Sequence, residues 1–230
     1  MINILIIIPA YNESMNIEKV IDELIKYYPQ YDYVVVNDGS KDDTADICRK
    51  KGYNLLDLPV NLGLAGAFQT GVKYAYKYGY DAALQLDGDG QHNPKYIADM
   101  VKCMEDNSAD IVIGSRFINS QKPHSLRMMG GELITLIIRI TTRIKICDPT
   151  SGMRLFSKNM LKEFAYSMNY GPEPDTISYL VKNGAKVSEV PVQMNERLAG
   201  ESYLNLITSI KYMATMCLSI VLIQWFRKRG

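Results

Sequence analysis

Strand-like and helix-like segments alternate through the first half of the chain, and that regularity limits the fold more than any other feature. An isoleucine-rich run, "ILIII", precedes the helical pattern "NIEKVIDELIKYY", in which Ile17, Val20, Ile21, Leu24, Ile25 and Tyr28 share one face. "YVVV" and "LLDL" read as the next two strands, separated by a short helix through "TADICRKK". A helix through "AGAFQTGVKYAYKYG" stops at Gly79, and "AALQLD" forms a fourth strand. Asn93 and Pro94 read as N-cap and first-turn proline of "KYIADMVKCME", and "ADIVIG" supplies a fifth strand. The pattern predicts an α/β fold with a mostly parallel central sheet flanked by helices. Ligands of such open sheets bind beyond the carboxyl ends of the strands.

Polar residues collect at those ends. Asn12 and Glu13 follow the first strand, Asp38 the second, Asp87 and Asp89 the fourth, and Arg116 the fifth. In "LQLDGDGQHNP" two carboxylates one residue apart can converge on a hard divalent cation, Mg2+ or Mn2+, with Gln91 able to add an amide oxygen. Gly88 and Gly90 permit a sharp turn, and alone these residues would equally make a common Asp-Gly turn. Asp38 can accept hydrogen bonds from a base or ribose, Tyr11 can stack, and Glu13 can meet a sugar hydroxyl or cap locally. The glycine-rich "NLGLAGAFQTG" matches neither a dinucleotide fingerprint nor a phosphate-binding P-loop.

Composition narrows the class. The 230 residues suit one large domain or a domain with an appendage, and the net charge of +1 gives no electrostatic footprint for nucleic acid. Four scattered cysteines form no CxxC pair, so reduced thiols are expected. The N-terminus lacks a basic leader and reads as a buried strand. In the second half, "ELITLIIRITTRIKI" (132–146) carries Arg139, Arg143 and Lys145 along an apolar helix, consistent with a membrane-interface helix or a core helix with a solvated basic face. Helices near "NMLKEFAY" and "PDTISYLVKNG" follow, then a strand in "KVSEVPVQM". Residues 204–226 are largely apolar, interrupted by Lys211, and end on Trp225, Phe226 and a basic tail. They can lie flat on a bilayer, cross it once, or pack against a small membrane partner. The expected partition is a catalytic unit at 1–203 and a membrane-associating or partner-binding helix at 204–230.

Seven stretches in order, "IPAYNE", "VNDGSKDDT", "NLGLAGAFQTG", "LQLDGDGQHNP", "GSRF", "DPTSGMRLFS" and "NERLAGES", give the chain a resemblance to the inverting glycosyltransferases of family 2. These enzymes have the GT-A nucleotide-sugar-binding fold. The chain is most similar to the polyprenyl-phosphate glycosyltransferases, including dolichyl-phosphate mannose synthase-like enzymes. The resemblance implies that Asp87 and Asp89 hold Mg2+ or Mn2+ with Gln91, and that Pro9, Tyr11, Glu13, Asp38 and Asp87 bind the nucleotide-sugar. It implies acceptor-phosphate contacts from Arg116, Arg127, Arg197 and Ser202, with Asp89, Asp148 and Arg197 as the catalytic set. The serine that related enzymes often carry shortly after the residue matching Arg127 is absent, since "RMMGG" follows. Glu173 and Asp175 are further candidates for sugar contacts or base work, and His92 for local hydrogen bonding.

The implied activity is transfer of a sugar, from a UDP-hexose or UDP-N-acetylhexosamine ahead of GDP-mannose, to polyprenyl (undecaprenyl) phosphate. It would proceed with inversion at the cytoplasmic membrane face, with a small membrane subunit or self-association as candidate partners. Elongation of a saccharide acceptor and a non-catalytic nucleotide-sugar-binding subunit are the alternatives.

Overall fold

β1 (Ile4–Ala10) is an unbroken apolar run because both of its faces are covered. Leu5 and Ile7 turn into one hydrophobic layer, while Ile4, Ile6 and Ile8 turn into the other. These relations come from a computed structural model that describes residues 2–120, 126–167, 170–195 and 206–222. β2 (Asp32–Asn37) and β3 (Leu55–Asp57) add in parallel on one side of β1, and β4 (Ala82–Gln85) adds in parallel on the other. β5 (Ile111–Ser115) and β7 (Val187–Pro191) pair in parallel at the far side.

One strand was not read from the sequence. β6 (Arg154–Ser157) inserts antiparallel between β4 and β5, giving a seven-stranded sheet of order β3-β2-β1-β4-β6-β5-β7. Arg154 lies opposite Gln85 on one side and Ile113 on the other. Since β6 runs against both neighbours, β4 and β5 point the same way. The carboxyl ends of β1, β2, β4 and β5 therefore share one edge, and the chain enters β6 at that same edge.

α1 (Ile17–Tyr27), α2 (Thr44–Lys51) and α4 (Ile97–Asn107) cover one face. The Asn93 side chain accepts from the Lys95 amide at 3.0 Å and starts a 3-10 turn, Pro94–Tyr96, that leads into α4. The other face carries α3 (Gly63–Lys77), α5 (Leu126–Thr142), α6 (Lys158–Lys162), α7 (Pro174–Lys182) and α8 (Leu206–Val221). Phe68 of α3, Phe156 of β6 and Phe164 form a buried aromatic triangle with centroids 5.2 to 5.3 Å apart.

The basic segment expected as a helix through residue 146 ends earlier. α5 stops at Thr142 because Arg143 takes a left-handed backbone (φ +63°), and the Thr142 hydroxyl accepts the Ile144 amide at 3.2 Å. Its two sides differ: Ile134 and Ile138 are fully buried, whereas Met129, Leu133, Leu136 and Ile140 are exposed. α8 packs along α5 and α7 with Ile220 in the core. Among the described residues no helix is long and apolar enough to cross a membrane.

α3 approaches β1 so closely that a Cβ on Gly71 would lie 2.3 Å from Cγ2 of Ile7. Gly71→Ala should therefore destabilise the protein by about 1–3 kcal/mol, read as a lower urea midpoint with an unchanged slope.

Candidate active site

Three loops at the shared sheet edge are tied to one another by side-chain caps on backbone amides. After β1, Asn12 adopts a left-handed conformation (φ +56°). Its amide donates to Ser40 Oγ at 2.9 Å, and its side-chain oxygen accepts the Lys41 amide at 2.8 Å. The Glu13 amide donates to Thr44 Oγ1 at 2.9 Å, and the Ser14 amide to Asp42 Oδ2 at 3.0 Å. Asp38 joins the third loop, since its Oδ1 accepts the Leu62 amide at 2.7 Å. That carboxylate therefore holds the 61–63 turn in addition to lining the cleft, a role the sequence reading did not give it.

The loops enclose a cleft of about 400 Å³. Pro9, Tyr11, Glu13, Asp38, Asp87 and Asp89 all line it, so the structure brings together the residues expected at the donor site. Ala10, Ala67 and Gly88 also line it, as do Asn61, Gly63 and Leu64, which carry no individual expectation from the sequence. The only signal for them was the glycine-rich turn into α3.

The acidic loop is built from short-range bonds. Asp89 Oδ1 accepts the Gln91 amide at 3.0 Å, closing a turn in which Gly90 has φ +78°. The Asp87 amide donates to His92 Nδ1 at 3.0 Å, and His92 Nε2 lies 3.7 Å from Asp87 Oδ2. His92 is buried and acts locally, as expected. Gln85 donates Nε2 to Asp87 Oδ1 at 3.2 Å from below. Gly152 leaves the room that Asp87 needs, because a Cβ there would sit 2.8 Å from Oδ2. The bonds of Gln91 run through its backbone, whose carbonyl accepts the Asn195 amide at 2.9 Å.

Two carboxylates in one cleft are hard oxygen donors, and among the described residues no group of three or more His, Cys, Asp or Glu could hold a metal. This donor set fits an oxygen-seeking divalent ion that fills the rest of its shell with phosphate oxygens and water. It does not fit a closed structural metal centre.

Asp148 and Arg116 form a second centre. Asp148 is buried to 1 % exposure, and Arg116 forks onto it through Nε (2.6 Å) and a terminal nitrogen (2.7 Å). The Arg116 amide adds a third bond at 3.1 Å. Behind Asp148, Glu189 accepts the Cys147 and Asp148 amides at 2.7 and 3.0 Å. Burial pushes the Asp148 carboxyl up, but the Arg116 bonds and charge outweigh it and hold the group below the usual carboxylate range.

Arg116 also lines a small cavity of about 120 Å³ with Thr150, Ser209 and Tyr212, walled by Met128, Ile134 and Met213 of α5 and α8. The other carboxylate candidates are engaged. Glu173 accepts the Tyr212 hydroxyl, while Asp175 accepts Ser219 Oγ at 2.5 Å and the Thr176 amide at 2.8 Å. Arg127 falls in α5, but its side chain lies outside the described residues, as do Arg197 and Ser202 altogether.

Asp148→Asn should cost the protein stability at neutral pH, at the lower end of the about 3–5 kcal/mol for breaking a buried pair, because Arg116 keeps some solvent access. The wild-type contribution is complete above the ordinary carboxylate pKa and is lost as pH falls through the depressed value. The variant should therefore show a shallower loss of stability below about pH 4, measured by chemical unfolding across pH.

The chain is similar along most of its length to known lipid-phosphate glycosyltransferases. It is 30 % identical over 212 residues to the undecaprenyl-phosphate mannosyltransferase of Micrococcus luteus, covering 86 % of each chain. It is 31 % identical over 214 residues to the UDP-N-acetylglucosamine–dolichyl-phosphate N-acetylglucosaminyltransferase of Methanococcus voltae, covering 83 % of this chain and 84 % of that one. Its fold matches glucosyl-3-phosphoglycerate synthase of Mycobacterium tuberculosis, solved with Mn2+, UDP and glucosyl-3-phosphoglycerate. The TM-score is 0.70 at 18 % identity, covering 100 % of this chain and 82 % of that one. The sheet and its flanking helices are thus those of the GT-A fold. Residues 5–164 match the model "Glycosyl transferase family 2", and the chain belongs to that family.

Proposed function

We propose that the protein transfers a hexose or N-acetylhexosamine from a nucleoside diphosphate to a polyprenyl phosphate, with inversion, at the cytoplasmic face of a membrane. The observation that carries this reading is the Asp148–Arg116 pair beside an apolar-walled cavity. A saccharide acceptor needs a base to take its hydroxyl proton. Asp148 is held in its ionised form by Arg116, and Glu173 and Asp175 already accept bonds from hydroxyl donors. A phosphate monoester is already ionised near neutral pH and needs no base. The functions of the Micrococcus and Methanococcus relatives support the same acceptor class.

In this reaction the bond from the anomeric carbon to the diphosphate oxygen breaks, and a bond from that carbon to an acceptor phosphate oxygen forms. The nucleoside diphosphate leaves with the electron pair. Asp38, Tyr11 and Glu13 line the nucleotide end of the cleft. Asp87 and Asp89 would hold Mg2+ or Mn2+, which, when bound, supplies positive charge to the departing diphosphate. Asp148 and Thr150 orient the Arg116 guanidinium through Nε and one terminal nitrogen, and its other terminal nitrogen is proposed to meet an acceptor phosphate. Arg127, Arg197 and Ser202 are proposed to complete that contact. UDP-linked donors are favoured and GDP-mannose is second; the named activities of the two relatives include both an N-acetylglucosaminyl and a mannosyl transfer.

Membrane contact is assigned to the outer side of α5 and α8. Met129, Leu133, Leu136 and Ile140 recur at helical spacing on α5, with exposed Arg139, Arg143 and Lys145 beside them. Exposed Ile210, Leu218 and Leu222 extend the apolar surface from α8.

A donor screen with undecaprenyl phosphate and Mn2+ or Mg2+ should yield a glycolipid product with one nucleotide-sugar, and Asp89→Asn should lower its formation at least about 100-fold with an unchanged circular-dichroism spectrum. Undiminished transfer by that variant would remove the acidic pair from the mechanism. Leu136→Asp with Ile140→Asp should reduce co-sedimentation with anionic vesicles at least about tenfold, while binding of the nucleotide-sugar stays at the wild-type level.

A further inference from the structure

Arg154 stands in β6 between Gln85 of β4 and Ile113 of β5 and is 3 % exposed. A guanidinium held out of water at that depth is strongly disfavoured unless anions surround it. Burial lowers its pKa from the ordinary arginine value, and the charges of Glu173, Asp148 and Asp87 work against that shift. One terminal nitrogen donates to the Pro149 carbonyl at 2.6 Å, which fixes the turn that carries Asp148. Nε is buried with no hydrogen-bond partner among the described residues, as is Oε1 of Gln85 directly across the ladder. Gln85 in turn donates to Asp87 Oδ1. Arg154 and Gln85 thus form a buried polar tier under the cleft floor, and the reaction outlined above uses neither.

We propose that Arg154 is a positioning residue, a fixed buried cation that balances Asp87 on the donor side, Asp148 on the acceptor side and Glu173 beneath α8, and so limits how tightly the acidic pair holds a divalent ion. This rests on reading Asp87 and Asp89 as a cation-holding pair. Two effects of opposite sign follow. The cation repels a divalent ion bound at Asp87, so its removal strengthens metal binding. The same side chain fixes the Pro149 carbonyl and with it the turn that carries Asp148, so its removal loosens the reacting geometry and slows turnover. A merely structural role would weaken both together.

The test is a titration of the full chain with Mn2+ alone, with free ion read by its paramagnetic resonance signal, alongside turnover with the donor found in the screen. Arg154→Met should lower the Mn2+ dissociation constant at least threefold while kcat falls at least tenfold. Arg154→Lys, which keeps the charge but loses the planar guanidinium, should keep Mn2+ affinity within twofold of wild type and lose less turnover. Equal or weaker Mn2+ binding by a folded Arg154→Met would overturn the proposal. If that variant does not fold, Arg154→Lys decides: affinity within twofold supports the proposal, and a larger change overturns it. Absence of transfer to polyprenyl phosphate by the wild type with every donor would sink the proposed function alone, because the Mn2+ titrations still judge Arg154.

Discussion

The reversed strand β6 holds the molecule's working edge together. Parallel pairing alone would bring β4 and β5 side by side, and each would end in its own loop. With β6 wedged between them, the chain must first arrive at the carboxyl edge, and the "DPTSG" turn is what delivers it there. Asp148 reaches Arg116 through that arrival, and Gly152 comes to lie against Asp87. A four-residue strand thus connects the acidic loop after β4 with the arginine after β5. Its own Phe156 packs against Phe68 and Phe164, so the packing that secures the strand also secures both centres.

Electrostatics at this edge is a matter of distribution more than of net charge. Asp87, Asp89, Asp148, Glu173 and Asp175 converge within one region, yet each described one has a built-in counterpart. Asp148 has the Arg116 fork, Glu173 and Asp175 have hydroxyl donors from α8, and Asp87 has Gln85 and His92. Asp89 spends one oxygen on its own turn. The pair formed by Asp87 and Asp89 is the part that lines the cleft. The arginine side is oriented for an anion. A pair of carboxylates and an arginine centre thus stand a short span apart along one sheet edge.

Much of this was legible in the chain, and the reasons are specific. β1, β2, β4 and β5 are buried on both faces, so they appear as apolar runs ending abruptly in charged residues, and the polarity of each strand end is visible in one dimension. The five residues expected to bind the nucleotide-sugar, and the metal candidate Asp89 beside them, line one cavity. β6 escaped notice because it is short and because Arg154 interrupts its apolar pattern, although its neighbours Met153, Leu155 and Phe156 are all buried. The Asp148–Arg116 fork spans 32 residues of sequence and depends on which strand is reversed, a fact that spacing cannot convey. The end of α5 was overestimated since Arg143 continues the helical periodicity in composition while its backbone turns left-handed. Asp38 looked like a ligand contact alone; its bond to the Leu62 amide is a tertiary relation that no local pattern announces.

α8 is usually the kind of segment one would trim to obtain a smaller, better-behaved protein. Here Tyr212 and Ser219 satisfy Glu173 and the buried Asp175, and Tyr212 and Met213 form part of the Arg116 cavity wall. Deleting the helix would strand a carboxylate in an apolar layer and open that chamber to bulk solvent. α8 and the Arg116 cavity are consequently one packed unit, and a truncated fragment would be a poor surrogate for the whole.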